Sequence, residues 1–86
     1  MKIKILSPQH GDQVLELAPR EATELIFEEQ RNGRAGFVKF SDGEVFNLMK
    51  RTGILQQLQK RELKKTLEEK EESGAEATIV PLIAGG

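Results

Sequence analysis

The run Ala77-Thr78-Ile79-Val80-Pro81 constrains the fold of this chain more than any other stretch. It is apolar and β-branched, without the polar alternation of a strand that has one wet face, so it reads as a strand lying inside a sheet. Proline has no N–H to give to a ladder, so pairing must stop at Pro81. Ser73-Gly74 breaks whatever precedes the strand, and only Leu82-Ile83-Ala84-Gly85-Gly86 follows it. The last strand is therefore expected inside the sheet, next to the first, with the chain leaving the sheet at a fixed point.

The earlier segments supply those partners. Lys2-Ile3-Lys4-Ile5-Leu6 alternates polar and apolar residues, as a half-buried strand does. Ser7-Pro8-Gln9-His10-Gly11-Asp12 has turn composition, and Gln13-Val14-Leu15-Glu16-Leu17-Ala18 reads as a second strand, giving an N-terminal hairpin. Pro19 suits the first position of a helix, Glu21 and Glu24 suit its positive end, and Asn32-Gly33 suits its end. Ala22, Leu25, Ile26 and, imperfectly, Glu29 share one face of that helix. Ala18 is a poor N-cap. Thr23, Leu25 and Phe27 also alternate, and Asn-Gly is a strong hairpin signal, so helix and strand both stay open over residues 20–31. Phe37-Val38-Lys39-Phe40 and Glu44-Val45-Phe46-Asn47-Leu48 flank an Asp42-Gly43 turn and read as two short strands.

From Met49 to Glu72 the chain is helix-prone and heavily charged. Ile54 and Leu58 share a face, whereas Leu63 and Leu67 lie well round the cylinder, so no single apolar stripe emerges. Gly53 sits at the start. A short helix, a kink or break, and then a mostly solvated helix are expected. Lys60, Arg61, Lys64 and Lys65 precede Glu68, Glu69, Glu71 and Glu72, the order that opposes the helix dipole. Such a run is either a solvated face or an electrostatic patch for a partner.

Composition narrows the function. One small domain fits 86 residues with 37% hydrophobic content. Thirteen basic residues against fourteen acidic ones, with four phenylalanines and no Trp or Tyr, argue against a nucleic-acid binder. Without cysteine there is no disulfide framework, and one histidine, His10, supports no His/Cys metal site. Met1–Leu6 runs into a turn and not into the apolar core of a signal peptide, and no stretch approaches a membrane span, so a cytoplasmic protein is expected. No Ser-His-Asp set is legible, and Gly33-Arg34-Ala35-Gly36 lacks the Lys-Ser/Thr of a phosphate loop. Glu28-Glu29 and Glu68-Glu69 read as solvated faces. No catalytic residue, metal site or bound cofactor is expected.

The tail is the remaining feature. Glycine at 85 and 86 strips side chains from around the terminal carboxylate and frees the backbone for close approach to another surface. Five extended residues reach roughly 16 Å at about 3.3 Å each, enough to thread a narrow channel.

From Gly74 to Gly86 the sequence resembles the end of the small sulfur-carrier proteins of the thiamine and molybdopterin type, and the related carrier of a cysteine-synthesis pathway: a turn, an apolar strand, a proline, small or apolar residues, and Gly-Gly. The N-terminal hairpin matches loosely, and the long charged segment from Lys50 to Glu72 is larger than those carriers usually have. The resemblance, with the order β-β-α-β-β-α-β, implies an α+β ubiquitin-like β-grasp, a mixed sheet over one main helix with an additional charged helix before the last strand. Residues 1–81 would form the domain and 82–86 a flexible diglycine tail. It further implies that a partner activating enzyme adenylates the Gly86 carboxylate with ATP and that a thiocarboxylate follows. Gly85 and Ala84 would be the slim neck, and Leu82 and Ile83 apolar anchors at the channel mouth, unless those two pack on their own domain. A sulfur-accepting enzyme would be the second partner. Two alternatives stay open. One is a ubiquitin-like modifier joined through Gly86 to lysines of target proteins. The other is a non-covalent adaptor or regulatory subunit with a dispensable tail.

Overall fold

The computed structural model describes residues 1–6 and 11–81. It is an α+β protein with a mixed five-stranded sheet: β1 (Lys2–Ile5), β2 (Gln13–Glu16), α1 (Pro19–Arg31), β3 (Phe37–Phe40), β4 (Val45–Asn47), α2 (Gly53–Ser73) and β5 (Ala77–Val80). The strand order is β2-β1-β5-β3-β4. β5 lies inside the sheet, parallel to β1 and antiparallel to β3, as its composition demands.

Register turns strand alternation into two layers. Leu15, Ile3, Ala77 and Phe40 form one cross-sheet row, and Ile5, Ile79, Val38 and Phe46 form the next. Ile3, Ala77, Phe40, Ile79 and Val38 are buried in one cluster with Ala22, Ile26 and Phe27 of α1 and Leu63 and Leu67 of α2. Both helices therefore cover the same face. Residues of opposite parity, among them Val14, Lys4, Thr78, Lys39 and Val45, form a row on the other face.

Residues 20–31 are helical. Ala18 offers no side-chain cap, but its N–H donates to Glu21 Oε1 at 3.3 Å, so the glutamate at the third helical position does part of the capping. The buried face is Ala22, Thr23, Ile26 and Phe27, rotated from the face expected from Leu25 and Glu29, both of which are half-buried. Thr23 can enter the core because its hydroxyl donates to the Pro19 carbonyl at 2.8 Å.

The expected break in the charged segment is absent; its mostly solvated character is present, apart from one buried stripe. α2 runs 21 residues without interruption. Gly53 adopts φ +60°, which turns the chain from the preceding loop into the helix and does not interrupt it. Gln59, Leu63, Leu67 and Lys70 are buried, a stripe at i, i+4, i+8 and i+11. Two polar members hide that stripe in the sequence, while the more conspicuous Ile54 and Leu58 lie roughly 180° and 140° away from Leu63 and point to solvent. α2 is thus no appendage to a single main helix; it supplies two leucines to the common core.

The polar ends of the stripe are satisfied. Gln59 grips the loop after β4: Met49 N–H donates to Oε1 at 2.8 Å, and Nε2 donates to the Met49 carbonyl at 2.9 Å. Lys70 reaches the β3–β4 turn, 2.5 Å from Asp42 Oδ2 and 2.8 Å from Glu44 Oε2, with its ammonium 5.3 Å from the Phe40 ring centre. Glycine at 74, φ +79°, closes the helix in the left-handed conformation.

Candidate functional site at the exit of the last strand

β5 is held on both sides up to its final residue. Leu6 N–H donates to the Ile79 carbonyl at 3.3 Å from the β1 side, and Gly36 N–H donates to the Val80 carbonyl at 2.8 Å from the β3 side. Pro81 then ends the ladder, as its chemistry requires. The chain thus leaves from the middle of the sheet, flanked by the C-terminal end of β1 and the start of β3.

The surface beside that exit is apolar at its centre and basic around it. Leu6, Phe37 and Val80 are half-buried on the face away from the helices, beside the row of Lys4, Thr78 and Lys39. These residues line a shallow depression of about 700 Å³. Lys4 lies 3.7 Å from Asp12, while Lys39 is exposed and makes no ion pair among the described residues. The depression holds no nucleophile–base pair. It offers two ammonium groups and an apolar floor next to the point where the chain departs.

The tail residues expected to carry the chemistry, Leu82, Ile83, Ala84, Gly85 and Gly86, lie outside the described residues, as does His10. Leu6, Phe37, Lys4 and Lys39 were not singled out from sequence. Their strand parity is readable, and the place of the last strand beside the first is expected and found, but the pairing of β3 with the other side of β5 is not readable, and it brings residues 37 and 39 to residues 4, 78 and 80.

The charged run of α2 is not one patch. Lys70 is buried in its ion-pair cluster, Lys60 stands 5.7 Å from the Phe27 ring centre, and Glu71 faces the Met1 ammonium at 3.3 Å. That ammonium also donates to the Leu17 carbonyl at 2.7 Å and lies 3.3 Å from Glu16. Its burial would lower the pKa, but hydrogen bonds to Glu71 and Glu16 outweigh this and raise it above 8.0. Lys70 is held above 10.5 by hydrogen bonds to Asp42 and Glu44, and Asp42 below 3.8 chiefly by the bond from Lys70. These shifts come from structural pairs and do not mark a reaction centre.

Of the acid pairs, Glu29 accepts a 2.6 Å bond from Arg34, while Glu28, Glu68 and Glu69 are exposed. Among the described residues no group of three His, Cys, Asp or Glu side chains is placed to hold a metal ion, and no helix is long and apolar enough to cross a membrane. No family model, curated protein or solved structure matches the chain.

Proposed function

We propose that this chain is a ubiquitin-like β-grasp protein acting as a sulfur carrier, the substrate of a partner activating enzyme in the cytoplasm and not itself an enzyme. The observation that carries the reading is the position of β5: a strand fixed between β1 and β3 stops at Val80-Pro81, five residues before Gly86. A rigid base at one end and two glycines at the other suit a carboxylate that must be presented inside another protein's active site. The order β2-β1-β5-β3-β4 and the placement of the helices on one face are consistent with a β-grasp.

A carboxylate is a poor electrophile. Attack of a Gly86 carboxylate oxygen on the α-phosphorus of ATP displaces pyrophosphate and gives an acyl adenylate. Sulfur from a persulfide then attacks the acyl carbon and releases AMP, and a thiol reduces the resulting acyl disulfide to the thiocarboxylate. This chain contributes the carboxylate, the Ala84-Gly85 neck and the Leu82-Ile83 anchors; the depression around Leu6 and Phe37 is a natural seat for the activating enzyme. The acceptor of the sulfur is a second enzyme.

The test is the intact mass of the untagged protein from its native cell, with the C-terminal peptide sequenced. Replacement of one Gly86 oxygen by sulfur supports the carrier. Isopeptide adducts through Gly86 on other proteins would transfer the reading to the modifier alternative. A protein still functional after deletion of Gly85-Gly86 would overturn both and leave the adaptor.

A further inference from the structure

A second surface is lined by residues other than those at the exit of β5. Where the edge of β4 meets the first turns of α2, the structure forms a groove of about 640 Å³ floored by Met49, Leu55 and Leu58, with Val45, on the sheet face away from the helices, at its β4 edge. These side chains are about half exposed, and the neighbouring Ile54 is 79% exposed. Three such residues on the floor, with Val45 at the edge and Ile54 beside it, are more than the isolated exposed leucine that needs no explanation. They do not serve the core, which α2 meets through Leu63 and Leu67 on another face.

The groove has a sign. Arg51, Arg61 and Lys65 line it against the single acid Glu62, and none of the four makes an ion pair among the described residues. This excess stands on a chain whose net charge is −1. One wall is a sheet edge: among the described residues β4 pairs only with β3. Phe40 N–H donates to the Glu44 carbonyl and Leu48 N–H to the Gly36 carbonyl. By the two-residue period, the backbone N–H and C=O of Val45 and Asn47 therefore face outward, toward the groove. Its loop wall is fixed by the Gln59 clamp on Met49 and a 3.1 Å bond from Gln30 Nε2 to the Met49 carbonyl, so the groove is preformed.

The geometry points to a docking site for an extended acidic–apolar segment of a partner protein, pairing with the free edge of β4, seating aliphatic side chains on Leu55 and Leu58, and placing carboxylates against Arg51, Arg61 and Lys65. A second copy of this chain is a poor occupant, because it would bring the same cations face to face. A nucleic acid is poorly served by an aliphatic floor without exposed aromatic rings. A bilayer is flat, and a groove walled by a strand edge is not.

The test uses the full chain and a short fluorescein-labelled peptide, Asp-Asp-Val-Ile-Val-Leu-Asp-Glu, with the same peptide carrying Lys for every acid, a labelled oligothymidine, and vesicles of anionic lipid. Binding of the acidic peptide alone is expected, with amide shifts confined to Val45–Met49 and Ile54–Lys65. Affinity should fall as ionic strength rises. It should fall by about tenfold or more in Leu58→Ser and in Arg61→Glu/Lys65→Glu, whose side chains are exposed and whose spectra should stay native. Deleting Gly85-Gly86 should change nothing, which separates this surface from the carrier reading. No shift at these residues, equal binding of the basic peptide, binding of the oligonucleotide or vesicles through the same residues, or self-association through the groove would each overturn the proposal.

Discussion

Lys70 shows how far a single residue departs from its place in a charge run. In sequence it is one more cation; in the fold it is buried over Phe40 and bonded to Asp42 and Glu44. The linkage has a definite sign. The folded pKa of Asp42 lies below 3.8, so its contribution is present above that value and lost as pH falls through the folded pKa. The folded pKa of Lys70 lies above 10.5, so its contribution is present below that value and lost as pH rises through the folded pKa. Urea denaturation across pH should show both limbs in the wild type, and Asp42→Asn should flatten the acid one. The Met1 ammonium adds a loss beginning above pH 8.0, which Glu71→Gln should reduce. Gln59 is a second such residue. Gln59→Ala removes both bonds to Met49 and should destabilise by about 1–3 kcal/mol, read from the same denaturation curves.

At the scale of elements, α2 carries two apolar surfaces with different tasks. Leu63 and Leu67 are fully buried, and truncation of either to alanine should cost about 2–5 kcal/mol. Leu58 is 48% exposed, and Leu58→Ala should change stability by less than about 0.5 kcal/mol. Equal losses at all three sites would mean that the helix is rotated from the phase described. The C-terminal end of α2 makes a separate prediction. Gly74 has φ +79° and open space where a Cβ would stand, so Gly74→Ala should cost about 1 kcal/mol from backbone strain alone, measured by thermal or chemical unfolding.

At the scale of the molecule, the sheet has a protected middle and two edges. β1, β5 and β3 hold the buried rows, while every residue of β2 is exposed. Hydrogen exchange should be slowest at Val38 and Ile79 and faster along β2. Deleting Gly85-Gly86 should leave the unfolding midpoint unchanged, because β5 is already bonded on both sides through Val80. The exit of β5 and the β4–α2 groove are separate surfaces, so one partner could hold the tail while another occupies the groove.

The sequence by itself determined the five strands, the helix-prone segment after β4 and their order. Strand alternation, the proline at 19, the turn glycines and the stop at Pro81 act locally, and local chemistry is readable from neighbours in the chain. It also showed that β5 must be interior, since an apolar β-branched run has no wet face to offer. Only the tertiary structure decided the rest: the helix over residues 20–31 against its strand rival, the rotation of both helices, the unbroken α2, and the meeting of Leu6, Phe37 and Val80 at the exit. The physical reason is the same in each case. Burial of Gln59 and Lys70 is set by partners 10 and 28 residues away, Met49 and Asp42, and no pattern within the helix reports that those partners will be there.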